Sequence, residues 1–261
     1  MITDFLKIYE FIMARDSFYQ AQLIERINFT EDLALFRFRA DRALNFLPGQ
    51  YATLAVEDGE KLIQRPYSIV SSPFEPFLEF FIELLPEGEL TPHLWDLKPA
   101  EKVLVRNRMV GRFILDEASG LNRHLMLATV TGIAPYISMV RTHRLKIERG
   151  KTELQHFAII HGASHSRELG IYKDELTESA RNEWLNYIPT ISRPWIDTDW
   201  RGETGRVEDV IRKYSDLLGF DCARAIAYAC GHPQMIETAK SILARARFPN
   251  EHIKEENYFL V

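Results

Sequence analysis

The hydrophobic pattern of this chain changes once, near Gly120, and that change restricts the fold more than any single motif does. From Phe18 to about Asp116, apolar residues form short runs separated by turn pairs such as Pro48-Gly49 and Ser72-Pro73. This pattern predicts antiparallel strands in a small β-barrel. Beyond Gly120, strand-like runs alternate with amphipathic stretches, which predicts a doubly wound parallel sheet that binds ligands at the carboxyl ends of its strands.

The composition narrows the functional classes. With 261 residues, 46% of them apolar and 26% charged, the chain is typical of a globular protein of one or two domains. Residues 121–261 carry 19 Lys and Arg against 18 Asp and Glu, a surplus too small to indicate nucleic-acid binding. No apolar run approaches the roughly 18 residues of a membrane span. We therefore expect no membrane insertion, and the lack of a targeting signal makes the cytoplasm the expected location.

Cysteines and histidines give no metal pattern. Cys222 and Cys230 are too few for a disulfide framework or for a four-thiolate iron–sulfur cluster. Any iron–sulfur partner must therefore lie on another polypeptide. The histidines show no HExxH spacing, so His161, His165 and His232 are expected to be surface or loop residues rather than ligands.

The first sixteen residues predict a helical extension. Their apolar residues are spaced roughly for one helix face, which favours a short amphipathic helix that packs on the body. A basic start and an unbroken apolar core are both missing, so a signal peptide is not indicated. Met13 leaves a second possibility open, namely that it is the true start of the chain.

Two segments of the first half have the residue types of a dinucleotide site. Arg65-Pro66-Tyr67-Ser68 joins a planar cation for a pyrophosphate, a ring that can stack on a flavin and a small hydroxyl. Gly88-Glu89-Leu90-Thr91 precedes an apparent helical turn and could seat a diphosphate. Each segment also has a purely structural interpretation: a strand end with a salt bridge for the first, and a hairpin loop with a capping threonine for the second.

The second half places polar residues after each predicted strand. The first strand is expected to end at Thr131-Gly132, the third at Ser192-Arg193, and the fourth at Cys230-Gly231-His232-Pro233. Arg193 and Arg206 could bind a monophosphate such as the 2′-phosphate of NADP. Solvated salt bridges would account for the presence of either arginine equally well. Cys230 could line a nicotinamide site or be a small buried apolar residue.

These segments follow one another in a specific order: Arg65-Pro66-Tyr67-Ser68, Gly88-Glu89-Leu90-Thr91, Thr131-Gly132-Ile133-Ala134-Pro135, Ser192-Arg193, Thr204-Gly205-Arg206, Cys230-Gly231-His232-Pro233-Gln234-Met235 and Glu256-Asn257-Tyr258-Phe259. In that order the chain, from about Phe18 to Val261, resembles bacterial ferredoxin (or flavodoxin)–NADP reductases. The resemblance implies three parts: an N-terminal helical extension (1–16), an FAD-binding antiparallel β-barrel (17–120) and an NADP(H)-binding α/β domain with a doubly wound parallel sheet (121–261).

The resemblance also implies the FAD contacts. Arg65 would hold the pyrophosphate, Tyr67 would pack on the isoalloxazine and Ser68 would approach its N5 atom. The other implied FAD contacts are Pro66, Gly88, Glu89, Leu90, Thr91, Thr131 and Phe259, the last of which would stack on the adenine.

The implied NADP contacts are Thr131, Gly132, Ser192, Arg193, Arg206, Cys230, Gly231 and Met235, with the two arginines at the 2′-phosphate. Ser68, Cys230, Glu256 and Tyr258 are the implied catalytic residues. Cys230 would lie near the hydride-transfer position, and Tyr258 would face the isoalloxazine where the nicotinamide enters. Glu256 matches a family acid with a proton-relay or positioning role.

Two positions depart from the family pattern. Val130 stands where the family usually has glycine, which removes conformational freedom and adds bulk near the pyrophosphate. Ser164 stands where many members have arginine, and Arg167 is a possible substitute. Weaker nucleotide binding or a reduced preference for NADP would follow.

The function implied is hydride exchange between NADP(H) and FAD, and single-electron exchange between FAD and ferredoxin or flavodoxin. Arg106, Arg108 and Arg112 are a candidate patch for that acidic carrier, or a solvated basic strand. We expect a monomer with no metal. Two alternatives stay open: an NAD(P)H–flavin reductase or electron-transfer subunit of the same fold, and a non-catalytic flavin-binding redox sensor.

Overall fold

The computed structural model describes residues 15–59 and 61–258, and the chain passes from one compact unit to a second between Ile114 and Leu115. Most of the predicted N-terminal extension and Phe259 lie outside the described residues. Within the described ranges, none of the helices has the length and hydrophobicity that a membrane crossing requires.

The first unit is a curled antiparallel sheet. Its strands, in chain order, are β1 (Phe18–Asn28), β2 (Leu33–Ala40), β3 (Tyr51–Asp58), β4 (Lys61–Ser68), β5 (Leu78–Glu83) and β6 (Lys102–Arg106), with one short helix, α1 (Thr91–Asp96). They are arranged in the order β4-β3-β6-β1-β2-β5, and the neighbouring strands pair antiparallel. The predicted antiparallel barrel is confirmed, as a half-barrel.

Alternation along β2 builds the core of this unit. Ala34, Phe36 and Phe38 are all buried and share one face, because side chains of a strand alternate between faces. The rings of Phe38 and Phe80 lie 6.1 Å apart in a tilted contact. The outer strand β4 carries Pro66, which is tolerated there because an outer strand has one side that needs no ladder hydrogen bonds.

The second unit is a parallel sheet with helices. Its strands are β7 (Arg123–Thr129), β8 (His156–Ala163), β9 (Leu185–Ile191), β10 (Glu203–Thr204), β11 (Ala225–Gly231) and β12 (Ile253–Asn257), and its helices are α2 (Ala134–Glu148), α3 (Tyr172–Ser179), α4 (Val207–Leu218) and α5 (Pro233–Arg245). The order β10-β9-β8-β7-β11-β12 confirms the predicted doubly wound sheet, and every pair is parallel. The strand order reverses between β7 and β11.

Three details of this unit differ from the sequence expectations. The first strand ends at Thr129 rather than at Thr131-Gly132, and Val130–Ile133 form a 3-10 turn that leads into α2. The amphipathic stretch after β8, which predicts one helix over 168–181, instead forms a 3-10 turn followed by the shorter α3. The edge strands β10 and β12 were not expected, because neither has a continuous apolar run.

Candidate functional site

The first unit brings its two candidate segments together. Arg65, on β4, donates from Nη2 to Oε2 of Glu89 over 2.6 Å, and Lys61 donates to the other carboxylate oxygen over 2.6 Å. These hydrogen bonds, that of Lys61 above all, lower the pKa of Glu89. Two cationic side chains beside a loop can bind a diphosphate. The Glu89 carboxylate would compete with that diphosphate for the N–H groups of Arg65 and Lys61.

Tyr67 and Ser68 complete the end of β4. Alternation places Tyr67 toward the core, where it meets the Phe80 ring edge-on at 6.5 Å. Burial raises the pKa of the Tyr67 phenol, so this side chain is a neutral aromatic surface at physiological pH. Ser68 is buried at the last position of the strand, opposite Tyr51 of β3.

The loop before α1 is pinned by Thr91. Its hydroxyl accepts from the Leu85 N–H and donates to the Leu85 carbonyl, both over 2.9 Å. Gly88 lies so close to this contact that a β-carbon would come within 3.0 Å of Leu85 and 3.2 Å of the Thr91 hydroxyl. Thr91 therefore shapes the loop, and the backbone of Gly88, Glu89 and Leu90 is what can approach a ligand.

The second unit has its candidate residues where the strand order reverses, the usual ligand crevice of such a sheet. Gly132 packs so tightly on β11 that a β-carbon would lie 2.2 Å from the Cys230 carbonyl oxygen. Gly231 has a φ of 123°, and a β-carbon there would lie 2.3 Å from the Thr129 hydroxyl. That hydroxyl accepts the backbone N–H of His232 over 2.9 Å. Both glycines allow the loops after β7 and β11 to touch.

Cys230, Glu256 and Tyr258 meet beside this contact. Strand β12 places Glu256 opposite Cys230, and the Tyr258 hydroxyl donates to the Thr131 carbonyl over 3.2 Å. Burial raises the pKa of the Cys230 thiol, the Glu256 carboxylate raises it further, and a hydrogen bond with Tyr258 opposes the shift. The thiol is therefore protonated at neutral pH and is not poised as a nucleophile.

Arg193 and Arg206 follow two adjacent strand ends of the same sheet. Arg193 comes after β9 and donates its backbone N–H to the Ser164 carbonyl over 2.9 Å. Arg206 comes after β10, where Gly205 donates to the Ile191 carbonyl over 2.9 Å. Both guanidinium-bearing residues are exposed, and Glu208 approaches Arg206 only to 3.9 Å. Two cations at one sheet edge suit a phosphate monoester.

The turn after β8 is closed by acidic side chains. Glu168 accepts the Ser164 N–H over 2.6 Å, and Asp197 accepts the Ser166 N–H over 2.7 Å. The hydrogen bonds from Ser166 lower the pKa of Asp197. Arg167 is exposed in this turn, so its side chain is accessible to solvent.

The remaining candidates are Met235, Ser192 and three arginines of the first unit. Met235 is 3% exposed in the core that α4 and α5 form with the sheet, so its side chain serves packing. Ser192 is half-buried between β9 and Arg193. Arg106, Arg108 and Arg112 are exposed, and the Arg106 guanidinium lies 5.2 Å over the Phe18 ring.

His161 corrects one expectation and Val130 refines another. His161 is fully buried on β8 rather than at the surface, and its Nε2 lies 2.9 Å from the Val130 carbonyl oxygen. Val130 has a φ of 42°, the left-handed conformation that glycine would supply. Thr129 and His161 were missed as site residues. A lone histidine within the apolar run of β8 was the available signal for the second, whereas nothing in the pattern marked Thr129.

Known proteins match both units. An oxidoreductase FAD-binding domain matches residues 20–113 and an oxidoreductase NAD-binding domain matches residues 126–241. Curated proteins named flavodoxin/ferredoxin–NADP reductase from Escherichia coli K12 and Shigella flexneri are each 33% identical over 199 residues, covering 74% of this chain and 77% of each relative. A Neisseria gonorrhoeae ferredoxin NADP+ reductase, solved with bound FAD and NADP, has the same fold, with a TM-score of 0.79, 23% identity and coverage of 93% and 99%. The chain belongs to the flavodoxin/ferredoxin–NADP reductase family.

Proposed function

We propose that this oxidoreductase exchanges hydride between NADP(H) and bound FAD, and single electrons between FAD and a ferredoxin or flavodoxin. The observation that carries the proposal is the meeting of Thr131, Gly132, Cys230 and Tyr258 where the strand order of the parallel sheet reverses. In a chain of this family, that crevice is where the nicotinamide end of a dinucleotide belongs.

The donor set of the first unit fits FAD. Arg65 and Lys61 offer charge-assisted donors to the pyrophosphate, with the backbone of Gly88 to Leu90 beside them. Tyr67 offers an aromatic surface and Ser68 a hydroxyl at the strand end. When bound, FAD supplies the chemistry that joins two-electron exchange with a nicotinamide to one-electron exchange with a carrier.

The second unit binds and orients NADP(H). Arg193 and Arg206 take the 2′-phosphate, which gives a preference for NADPH over NADH, and Arg167 compensates for Ser164. Cys230 and Tyr258 line the nicotinamide position, with the Tyr258 hydroxyl bonded to the Thr131 carbonyl before the nucleotide enters. Glu256, opposite Cys230, holds or moves a proton. Tyr258 yields to the entering nicotinamide.

The carrier meets an exposed basic surface. Arg106, Arg108 and Arg112 are all exposed near the end of the first unit. Positive charge attracts an acidic ferredoxin or flavodoxin and speeds encounter, and salt weakens this attraction. We further propose that the protein acts as a monomer in the cytoplasm.

Anaerobic stopped-flow absorbance tests this function. The purified flavoprotein is mixed with NADPH or NADH, and bleaching of the flavin band is followed. We expect fast bleaching by NADPH, slow bleaching by NADH, and a KM for NADPH raised about 10- to 100-fold by Arg193→Ala or Arg206→Ala. Arg212→Ala is the matched control, since Arg212 is an exposed arginine on α4 that pairs with Asp216.

The other outcomes separate the alternatives. Equal rates with both nucleotides would remove the NADP assignment but keep a flavin reductase. Salt-independent reduction of ferredoxin would argue against the basic surface. No bleaching by either nucleotide, with flavin bound, would refute the reductase and favour a sensor.

A further inference from the structure

Val130, His161 and Tyr187 form a row: Val130 directly follows β7, and the other two residues lie on the neighbouring strands β8 and β9. Ala128 of β7 lies opposite His161 of β8, which lies opposite Pro189 of β9. Residues two apart along a strand share a face, so Tyr187 lies on the same face as Pro189 and His161. Val130 begins the 3-10 turn that follows β7. None of these three residues is among the implied cofactor contacts.

Hydrogen bonds join the row from end to end. Nε2 of His161 lies 2.9 Å from the Val130 carbonyl oxygen, and Nδ1 lies 3.2 Å from the Tyr187 hydroxyl. A carbonyl only accepts, so Nε2 carries the proton and Nδ1 accepts from the tyrosine. Burial lowers the pKa of His161 to about 4. The neutral imidazole with one N–H is therefore the form present at physiological pH.

The residue that accepts the His161 hydrogen bond, Val130, has a strained backbone conformation. Val130 has a φ of 42°, a left-handed conformation that a β-branched side chain disfavours. Such a conformation persists only where its surroundings fix it. The buried His161 imidazole, which is hydrogen-bonded to Tyr187 through its other nitrogen, fixes the Val130 carbonyl.

The direction of that carbonyl sets the direction of the next amide. The described residues contain no cis peptide bond, and in a trans peptide the C=O and N–H point opposite ways. Because the Val130 carbonyl points to His161, the Thr131 N–H points away from the buried histidine. The Thr131 carbonyl is held by the Tyr258 hydroxyl and the Ala134 N–H.

We propose that His161, supported by Tyr187, is a positioning residue for nucleotide binding: it holds Val130 in the left-handed conformation and thereby aims the Thr131 amide at the phosphates of NADP(H). This inference rests on the proposed function, which makes NADP(H) the ligand of the turn. It also explains how the chain uses valine at a family glycine position, since His161 supplies the restraint that valine needs.

The test is a coupled set of variants measured by calorimetric titration with NADP+, by the KM and kcat for NADPH, and by thermal unfolding. His161→Leu removes the side-chain donor to the Val130 carbonyl, so we expect the Kd for NADP+ to rise about tenfold, with KM following and kcat little changed. His161→Gln can still donate to this carbonyl and should recover most of the affinity. Tyr187→Phe should weaken binding about threefold.

The same His161 variant in a Val130→Gly protein tests whether His161 acts by restraining the backbone of residue 130. In Val130→Gly the turn needs no restraint, because glycine adopts this φ freely. His161→Leu should therefore cost less than threefold in Kd in the Val130→Gly protein. His156→Leu, at the opposite end of β8, is the matched control and should leave the Kd unchanged.

Three results would overturn the inference. They are wild-type affinity in His161→Leu, an equal loss in both backgrounds, or a fall in kcat with no change in KM. If His161→Leu does not fold, Tyr187→Phe and Val130→Gly/His161→Gln decide the matter by the same titration. Failure of the wild-type protein to bind NADP+ would instead refute the proposed function, and this inference with it.

Discussion

Acid should destabilise the second unit through its buried histidines, and His161 allows the size of the effect to be worked out. Its pKa is about 4 in the folded protein, against about 6.5 in an unfolded chain. As the pH falls below 6.5, His161 becomes protonated in the unfolded chain but stays neutral in the folded protein until the pH nears 4. Stability is therefore lost on acidification, by about 2 kcal/mol at pH 5 and about 3 kcal/mol at pH 4 from this residue alone.

Urea unfolding of the wild-type protein and His161→Gln at pH 7.5, 6.0 and 5.0 measures this loss. Burial also lowers the pKa of His143 and His124, but these residues are present in both proteins and cancel in the comparison. We expect the gap between the two proteins to close by about 2 kcal/mol between pH 7.5 and pH 5. The exposed His93→Gln is the control. Parallel stability curves for wild type and His161→Gln would refute the assignment of a neutral buried imidazole.

Three further predictions concern the loops. Gly132→Ala forces a β-carbon against a backbone carbonyl at 2.2 Å, so it should destabilise by about 1–3 kcal/mol in urea unfolding, and an unchanged midpoint would contradict the packing described. Glu89→Gln removes the carboxylate that competes for Arg65 and should tighten FAD binding to the apoprotein about two- to fivefold, whereas Glu87→Gln should not; weaker binding would mean that Glu89 supports the site. Thr91→Val loses both hydrogen bonds to the preceding strand end and should cost about 1–3 kcal/mol; full stability would show that the loop has other anchors.

The fold was predictable because each half of the chain repeats one pattern. Alternation such as Phe36 and Phe38 marks a strand with one face on a core, and runs such as Leu125–Ala128 mark strands covered on both faces. Strand β12 was not predicted from the sequence because it lacks an apolar run, since three of its five residues are Lys254, Glu255 and Glu256. It forms because β11 offers it a hydrogen-bonding partner, which only the folded sheet provides.

Most residues of the candidate site could be predicted from the sequence, but the contacts that hold them in place could not. Sequence order placed Arg65 and Glu89 in separate segments, and only the curled sheet shows that they meet. Likewise, the burial of His161 was not predicted, because a polar residue is buried only when it has hydrogen-bond partners, and here these lie far along the chain. Those partners, Val130 and Tyr187, lie 31 and 26 positions away.

The position of Pro66 on the outer strand β4 has a consequence for the behaviour of the protein at high concentration. An outer strand presents unpaired backbone groups that can template association with another chain. Pro66 removes one N–H from this row, and the long charged side chains of Lys61 and Arg65 precede it on the same strand. The same strand that offers cations to a dinucleotide is thus a poor template for intermolecular sheet growth, so a binding edge can remain accessible without promoting aggregation.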